Sequence, residues 1–290
     1  MTQTPPFALF IRGAREPLFE IADELGFESE MEALAVSLFE DGPDSLHIQA
    51  LYETQNEADQ AAQAYTDRPD LEVFVSQLED EDWVSKSQQG LPPVIAGPFC
   101  IYGEHDKDNL PGDILYPLQI DAGLAFGTGH HGTTQGCLLA FESLRAAGFA
   151  PHTALDLGCG AGTLAIAYAK AAGRPVLASD IDPDAVMVTR QNAEINGVTN
   201  LVKAEVADGF DHPALKGQSF DLIFANILAE PLMGLAPDIA KALAPDGAAI
   251  LSGILSEKAQ TVAECFARTG LEVTYESPLQ GWTSLVARKK

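Results

Sequence analysis

The stretch LDLGCGAGTLAIAYAK at residues 155–170 joins an apolar run, three glycines within five positions and a helix-like tail. In that tail and just beyond it, Leu164, Ala167, Tyr168 and Ala171 repeat at i, i+3, i+4 and i+7, which predicts a helix. A glycine-rich turn between a strand and a helix is typical of sites that bind nucleotide-like ligands. The residues around the turn decide which ligand it binds.

The three glycines follow a GxGxG spacing, with Gly158, Gly160 and Gly162. In the dinucleotide-binding pattern GxGxxG, the third glycine allows the helix and the strand to pack closely. Here Thr163 occupies that third position and would obstruct such packing. The spacing therefore disfavours a dinucleotide.

Two carboxylates flank the turn. Asp156 precedes Gly158 by two residues, where it would repel a pyrophosphate but attract the ammonium and sulfonium of S-adenosylmethionine. Asp180 ends the next predicted strand, where it can accept from both ribose hydroxyls of either ligand. The following Asp182 and Pro183 fit the N-cap and first position of a helix. We therefore predict a site for S-adenosylmethionine, with a dehydrogenase as the alternative.

From about residue 153 onward, apolar runs alternate with helical patterns. Continuous apolar strands separated by helices indicate a parallel sheet covered on both faces. The last two runs, LEVTYES and WTSLVARK, are separated only by PLQG, which predicts a hairpin. We expect an α/β fold, a Rossmann-like parallel sheet with an antiparallel last strand. The strands predicted before the hairpin are TALDLG, PVLASD, NLVKAEV, SFDLIFAN and GAAILSG.

The first third of the chain shows a βαββαβ order, that of a ferredoxin-like α+β sandwich. We assign residues 1–80 to this small domain, 81–93 to a linker with a short helix, and 94–290 to the ligand-binding α/β domain. The predicted strands of the small domain are FALFIRG, residues 34–39, LHIQALY and LEVFVSQ, and its predicted helices are EPLFEIADEL and NEADQAAQAY.

Acidic residues outnumber basic ones by 42 to 17, which gives a net charge of −25. Residues 1–90 contain 20 acidic and 4 basic side chains and so hold −16 of that charge. Such a field repels nucleic acid and anionic membranes, and it attracts basic partners. Two interpretations stay open, a solubilising surface and a docking face for a basic protein.

Several classes of protein are disfavoured. No run of about 18 apolar residues occurs, so we expect no membrane-spanning segment, and the first 20 residues do not follow the pattern of a signal peptide. The four cysteines show no CxxC spacing, which argues against structural zinc or disulfides and fits a reducing cytoplasm. We expect a cytoplasmic protein without a metal.

A second glycine-rich stretch, DAGLAFGTGHHGTT, occupies residues 121–134. One interpretation is a flexible hinge. The other is a lid over the carboxyl edge of the sheet, where open α/β sheets bind their ligands. In the lid, Phe126 would lie against the adenosyl group. Backbone amides such as that of Gly129, and the hydroxyls of Thr133 and Thr134, would lie near the donor's polar tail.

Asn226 belongs to FANILAEPL, where the fourth predicted strand of the α/β domain opens onto the site. Its side-chain carbonyl can accept an N–H from an incoming amine and orient the nitrogen lone pair, and positioning supplies much of the rate in an in-line displacement. The alternative is that Asn226 caps the following helix. Enzymes that methylate planar nitrogens often carry Asn/Asp-Pro-Pro-Tyr/Phe here, so a stacked nucleobase is disfavoured.

Taken together, several motifs resemble the bacterial ribosomal protein L11 methyltransferase family. They are AFGTG with the following His and TT, LDLGCGAGTLAIA, SDIDPDAV with NAEING, FANILAEPL, LSGIL and GWTSLVARK, and they span roughly residues 114–290. The first third is similar to the family in size and strand order only. The family loop usually reads Gly-Thr-His-Pro-Thr-Thr, whereas this chain has His130 in place of Thr and Gly132 in place of Pro.

The resemblance implies a ferredoxin-like substrate-binding domain joined to a class I methyltransferase domain by a short linker. It implies that S-adenosylmethionine methylates lysine ε-amino and N-terminal α-amino groups of the basic ribosomal protein L11. It also implies donor contacts at Thr134, Gly158, Asp180 and Asn226, to which the residue pattern adds Asp156, Gly160, Phe126 and Gly129.

No side chain is a compelling general base. His131 is the leading candidate, with a purely structural role in the loop as its alternative, and we expect the amine proton to pass to water. Two other functions stay open. One is a methyltransferase for another protein or for a small-molecule amine. The other is a non-catalytic binder in ribosome assembly, which needs no donor pocket. We expect no direct binding of nucleic acid or membrane.

Overall fold

The chain divides into two compact units, Met1–Trp83 and Val84–Lys290. The computed structural model describes residues 7–14, 17–18, 21–22, 25, 33, 35–42, 45–66, 68–77, 93–112, 114–121, 132–275 and 278–289.

The first unit contains a four-stranded antiparallel sheet with the strand order β2-β3-β1-β4. This is the order of a ferredoxin-like sandwich, so the predicted α+β fold is confirmed. Of the helix predicted over residues 16–25, residues 17–18 and 21–22 are helical, and most of the others lie outside the described residues. The elements are β1 (Phe7–Ala14), β2 (Ala35–Gly42), β3 (Ser45–Tyr52), α1 (Gln55–Gln63) and β4 (Glu72–Gln77).

Helix α1 packs on one face of this sheet. It starts with a capping box, in which the Thr54 side chain accepts from the Glu57 backbone N–H and the Glu57 carboxylate accepts from the Thr54 N–H. Its buried alanines, Ala58, Ala61 and Ala62, join the apolar core formed with the inward side chains of β1 and β3. The small side chains allow the helix to approach the sheet closely.

The opposite face of the sheet carries a row of aromatic rings that crosses all four strands. Phe10 of β1 stacks on Phe74 of β4 with ring centroids 4.8 Å apart. Phe39 of β2 stacks on His47 of β3 at 4.9 Å. These residues share a face because they are paired across neighbouring strands or lie two positions apart along one strand.

The second unit is built on a seven-stranded sheet with the order β10-β9-β8-β11-β12-β14-β13. Strand β14 runs antiparallel to both of its neighbours, and the other pairs are parallel. The Rossmann-like sheet and its antiparallel last strand are therefore confirmed. The strands are β8 (Ala154–Leu157), β9 (Val176–Asp180), β10 (Val202–Val206), β11 (Phe220–Asn226), β12 (Leu243–Leu255), β13 (Glu272–Tyr275) and β14 (Trp282–Arg288).

Helices cover both faces of this sheet, as the continuous apolar strands predict. One face packs against α2, α3 and α4, and the other packs against α5 and α6, so that each face has its own buried apolar cluster. Because β8, β9 and β11 are parallel, their carboxyl ends meet at one edge of the sheet. The helices are α2 (Gly132–Ala146), α3 (Thr163–Ala172), α4 (Pro183–Ile195), α5 (Ala229–Ala242) and α6 (Ala259–Arg268).

A small three-stranded sheet precedes α2, and the sequence reasoning missed it. Its order is β5-β6-β7. Its strands have only three or four residues, too few to show a period in the sequence. They are β5 (Val94–Ala96), β6 (Phe99–Tyr102) and β7 (Tyr116–Gln119).

The outer edge of β7 is covered by side chains from two helices. Lys170 of α3 donates to the Pro117 carbonyl. Asn196, the C-cap of α4, both donates to the Gln119 carbonyl and accepts from the Gln119 N–H. Two residues further along, Asn192 makes the same pair of bonds with Asp121. Alternate residues of a strand point their polar backbone groups to the same side, so three side chains satisfy this edge.

Most of the predicted linker at 81–93 lies outside the described residues, as does its predicted short helix. Among the helices that the structure describes, none has both the length and the apolar character needed to cross a membrane.

Candidate functional site

The glycine turn joins the end of β8 to the start of α3. Gly158, Gly160 and Gly162 have φ angles of 73°, 52° and 80°, a left-handed region that side chains disfavour. A Cβ at Gly158 would also collide with the side chain of Ile227, which follows β11. The three glycines are therefore required by the backbone path, and Gly158 also by the close approach of a neighbouring segment.

The last two residues of strand β9 accept hydrogen bonds from the first half of the turn. The backbone N–H groups of Gly158 and Cys159 both donate to the Ser179 carbonyl, at 2.8 and 3.0 Å. The Gly160 N–H donates to Asp180 Oδ2 at 2.8 Å, and Asp180 Oδ1 accepts from the Asp182 N–H at 3.1 Å. Asp180 is half-buried, and each carboxylate oxygen keeps a second lone pair that can accept from a ribose hydroxyl.

Asp156 lies beneath the turn, with only 1% of its surface exposed. Its Oδ2 accepts from the Ala165 N–H, in the first turn of α3, at 2.9 Å. Burial raises the pKa of Asp156 to about 7, with a smaller contribution from the nearby Asp180 charge. This carboxylate therefore has a structural partner in the protein, and its predicted contact with the donor ammonium stays a prediction.

Asn226 is the last residue of β11, at the same edge of the sheet as Asp180. Its Nδ2 donates to Thr134 Oγ1 across a long 3.4 Å, so strand β11 and the start of α2 meet there. Thr134 is buried and Asn226 is half-buried. The structure thus brings together two residues that lie 92 positions apart in the sequence.

The alternative assignment of Asn226 as a helix cap is wrong. Helix α5 begins at Ala229, and its N-cap is Leu228, with no side-chain capping bond. The cap predicted at Asp182 is confirmed, because its side chain accepts from the Asp184 N–H at 2.8 Å and Pro183 is the first residue of α4. The Asn226 side chain therefore has no capping role at this helix.

The second glycine-rich stretch ends earlier than predicted. Thr133 and Thr134 belong to the first turn of helix α2, not to a loop. Ser252 Oγ of β12 donates to the Thr133 carbonyl at 3.2 Å. A Cβ at Gly132 would come within 2.9 Å of the Leu279 carbonyl oxygen. These close contacts fix the start of the helix. Residues 122–131, which include the predicted Phe126, Gly129, His130 and His131, lie outside the described residues.

Sequence reasoning assigned no role to two residues of α4 that hold the turn from its other side. Thr189 Oγ1 donates to the Gly160 carbonyl at 2.8 Å, and Asn192 Nδ2 donates to the Ala161 carbonyl at 2.9 Å. Both side chains are fully buried. Their partners lie 29 and 31 positions away in the sequence, so no local pattern indicates them.

Apolar side chains are exposed at the same edge. Ile181, directly after Asp180, is 68% exposed, and Leu228, two residues after Asn226, is 52% exposed. The opposite edge holds a groove of about 640 Å³ near the first residues of β8, β9 and β10. Because open α/β sheets bind ligands at the carboxyl ends of their strands, we place the site at the edge with Asp180 and Asn226.

In the described part of the chain, no group of three or more His, Cys, Asp or Glu side chains is arranged to hold a metal ion. The buried thiols of Cys137 and Cys159 lie near the site, and burial raises the pKa of both. Thiols whose pKa is raised by burial are poor nucleophiles at neutral pH.

Comparison with known proteins agrees with this geometry. The family model described as Ribosomal protein L11 methyltransferase (PrmA) matches residues 19–290. A ribosomal protein L11 methyltransferase of Rhodopseudomonas palustris is 41% identical over 296 residues, with 100% of this chain and 99% of that protein covered. One from Brucella suis is 50% identical over 213 residues, with 72% and 73% covered.

A solved structure shows the same likeness. The ribosomal protein L11 methylase of Lactobacillus delbrueckii subsp. bulgaricus superposes with a TM-score of 0.59 at 30% identity, covering 69% of this chain and 100% of that one. The family match, over residues 19–290, covers the sheet that carries the glycine turn. The chain belongs to the ribosomal protein L11 methyltransferase family.

Proposed function

We propose that this protein transfers methyl groups from S-adenosylmethionine to lysine ε-amino and N-terminal α-amino groups of ribosomal protein L11. The observation that carries the proposal is the shared edge of the sheet, where the glycine turn bound to Asp180 lies beside the strand that ends in Asn226. The family to which the chain belongs supports the choice of reaction and substrate.

The residues at this edge suit the adenosyl donor. Asp180 retains lone pairs for the ribose hydroxyls, and the exposed Ile181 beside it offers an apolar surface to an adenine. The N-cap of α3, Gly162, has no side chain, and Asp156 accepts the Ala165 N–H, which leaves part of the positive helix terminus for the donor carboxylate. When bound, S-adenosylmethionine supplies a methyl group activated by a sulfonium.

Asn226 is proposed to orient the amine. Its side-chain carbonyl would accept an N–H from the neutral amine, so that the nitrogen lone pair points toward the donor methyl. A free lysine has a pKa of about 10.4, so its neutral form costs roughly 4–5 kcal/mol at pH 7. Burial beside a positive charge lowers that cost, because both disfavour the ammonium. The proton is proposed to leave to water before transfer.

The first unit is proposed to dock the ribosomal protein. Residues 1–83 carry 20 acidic and 3 basic side chains, which favours a basic partner. The aromatic row on its sheet adds ring faces that can bind cations, and Arg12 already lies 5.9 Å from the centroid of Phe74. The same charge disfavours direct binding to nucleic acid.

The test is the intact mass of purified L11 after incubation with this protein and S-adenosylmethionine. We expect the mass of L11 to rise in steps of one methyl group, and peptide mapping to place the methyls on lysine and N-terminal amines. Omitting the donor is the control. If L11 keeps its mass while the protein binds S-adenosylhomocysteine in calorimetry, another protein or a small amine is the substrate. No heat from either donor or product would favour a non-catalytic binder.

A further inference from the structure

Helix α4 presents two buried polar side chains to the glycine turn, one helical turn apart. Thr189 donates to the Gly160 carbonyl and Asn192 to the Ala161 carbonyl, at 2.8 and 2.9 Å. The two acceptors are consecutive carbonyls of the turn. Neither side chain lies on the sheet strands that provide the predicted ligand contacts, since both belong to a helix that packs behind the turn.

These bonds fix the direction of the peptide groups in the turn. The C=O of one residue and the N–H of the next lie in one plane and point in opposite directions. With the Gly160 carbonyl bound to Thr189, the Ala161 N–H must point away from α4. The Gly160 N–H is already directed at the Asp180 carboxylate. Helix α4 therefore binds two carbonyls of the turn and leaves the Ala161 N–H facing the other way, where an anionic ligand group needs a donor. The Gly162 N–H donates within the turn, to the Cys159 carbonyl at 2.8 Å.

Asn192 also links the turn to a second segment. Its Oδ1 accepts from the Asp121 N–H at 3.0 Å, and its Nδ2 donates to the Asp121 carbonyl at 2.8 Å as well as to Ala161. One side chain thus holds the end of the β7 segment and the glycine turn at a fixed distance from each other. Asn196 makes the matching pair of bonds with Gln119, at 3.1 and 2.6 Å, and its amide also donates to the Asn192 carbonyl rather than to the turn.

We propose that Thr189 and Asn192 are positioning residues for the adenosyl donor. They act through the backbone of residues 160–161 and touch no reacting atom, so their loss weakens donor binding without slowing the chemical step. This inference rests on the proposed function, because it assumes that the glycine turn binds S-adenosylmethionine.

The first experiment compares Asn192→Ala with Asn196→Ala in the full-length protein. Both variants remove a buried or half-buried amide from α4 or its C-cap and release one residue of the β7 segment, but only the first releases the glycine turn. We expect Asn192→Ala to raise the Kd for S-adenosylhomocysteine by about 10-fold in calorimetry, with Asn196→Ala within about 2-fold of the wild type. At saturating donor, kcat should stay within about 2-fold for both variants.

A second pair of variants, at Thr189, tests the proposal even if Asn192→Ala fails to fold. Thr189→Val keeps the volume of the side chain but removes the hydroxyl, whereas Thr189→Ser keeps the hydroxyl. We expect the valine variant to bind S-adenosylhomocysteine several-fold more weakly and the serine variant to restore most of the affinity. A role that is only structural would lower the melting temperature of both variants without this split in Kd.

The possible outcomes distinguish a failure of the positioning role from a failure of the proposed function. Equal Kd values for Asn192→Ala and Asn196→Ala, together with equal values for the two Thr189 variants, would overturn the positioning role. A fall in kcat at saturating donor with an unchanged Kd would overturn it as well. Absence of S-adenosylhomocysteine binding in the wild type would instead refute the proposed function.

Discussion

Asp156 caps a helix from a neighbouring strand. The N-cap of α3 is Gly162, which has no side chain to accept the free N–H groups of the first turn. The buried carboxylate of Asp156 accepts one of them, that of Ala165. The glycine that the turn requires and the acid two residues before the turn are therefore complementary, because the second supplies the acceptor that the first lacks.

Replacing Asp156 by Asn should change how stability depends on pH. The carboxyl has a pKa of about 7 in the folded protein and about 3.9 when unfolded, so the folded state holds an extra proton between these values. Folding stability then falls as pH rises from about 4 to about 7, and it levels off above. Asn has no such proton, so from pH 5 to pH 8 the stability of Asp156→Asn should improve relative to wild type by about 2–3 kcal/mol.

Urea unfolding at the two pH values measures this difference. Asp211→Asn is the matched control, because the pKa of the exposed Asp211 is lowered by its bond to Lys216 and its pH dependence lies below pH 4. A parallel pH dependence of wild type and Asp156→Asn would show that the buried carboxyl stays ionised throughout.

Replacing Asn226 by Ala should slow methyl transfer more than it weakens donor binding. If the side chain orients the amine, its loss leaves the donor contacts of the glycine turn in place, and kcat should fall by about 100-fold. Single-turnover methylation of L11 and calorimetry with S-adenosylhomocysteine measure the two effects separately. Asn200→Ala, an exposed residue at the other edge of the sheet, is the control. Equal losses of rate and affinity would contradict the orienting role.

Strand β12 supports the end of β11 through a bulge. Between Leu251 and Ile254 its pairing with β14 shifts register, and Gly253 there has a φ of 79°. A Cβ on Gly253 would collide with the backbone carbonyl of Ile227, the residue after Asn226. The side chain of Ile227 in turn closes on Gly158. The segment that carries Asn226 is thus held between two glycines, one in the donor turn and one in the bulge.

Replacing Gly253 by Ala should displace this segment. The substitution combines a left-handed backbone with a collision, so the Ile227 backbone has to move and Asn226 with it. We expect kcat to fall by at least about 10-fold, because small misplacements at a reacting centre are costly. Gly173→Ala is the control, since Gly173 has a φ of 61° but nothing lies within 4 Å of the Cβ that alanine would add, so the change should cost only about 1–2 kcal/mol of stability. Unchanged methylation kinetics in Gly253→Ala would disprove this coupling.

The local sequence pattern predicts those strands and helices in which the apolar residues repeat over enough positions. The strands β9 to β11 and the helix over Leu164, Ala167 and Tyr168 are predicted because apolar residues in them follow one rule over five or more positions. Strand β8 has only four residues, and the glycine turn that follows it makes it predictable. The sheet of β5, β6 and β7 was not predicted, because three or four residues show no period.

At the site, the sequence did not predict hydrogen bonds between residues that lie far apart along the chain. The glycine turn, Asp180 and Asn226 were predicted from residue type and position at strand ends. The partners of Asn192 lie 31 and 71 positions away, at Ala161 and Asp121, and nothing local to the asparagine indicates them. Asp156 was assigned to the ligand by its charge, whereas its hydrogen bond to Ala165 depends on how α3 returns over β8.

The negative charge of the molecule is distributed unevenly between its two units. Residues 1–83 hold most of the negative charge, whereas the predicted donor site lies in residues 84–290. Attraction to a basic protein depends on ionic strength, but an adenosyl donor held by hydrogen bonds and apolar contacts depends on it much less. The two steps of recognition can therefore be separated by salt.

We expect charge reversal in the first unit to weaken the binding of the protein substrate and to leave the binding of the donor unchanged. Glu53→Lys with Asp59→Lys should raise the KM for L11 several-fold at low salt and leave the Kd for S-adenosylhomocysteine unchanged. The control is Glu257→Lys with Glu264→Lys, which makes the same change of charge at exposed positions in the second unit. Initial rates at about 50 and 300 mM salt measure the KM for L11 of each pair of variants. At high salt the KM of the wild type should approach that of the first-unit variant, because salt screens the attraction. The same increase in KM for both pairs would mean that total charge, not the first unit, attracts L11.

The covered edge of β7 has a consequence for solubility. An outermost strand with free amides and carbonyls is a template on which another copy of the chain can assemble. Here a lysine and two asparagines occupy that template at Pro117, Gln119 and Asp121, one side chain for every second residue. Side chains of α3 and of the C-terminal end of α4 therefore also keep this edge from pairing with a second copy of the chain, and loosening them would open it.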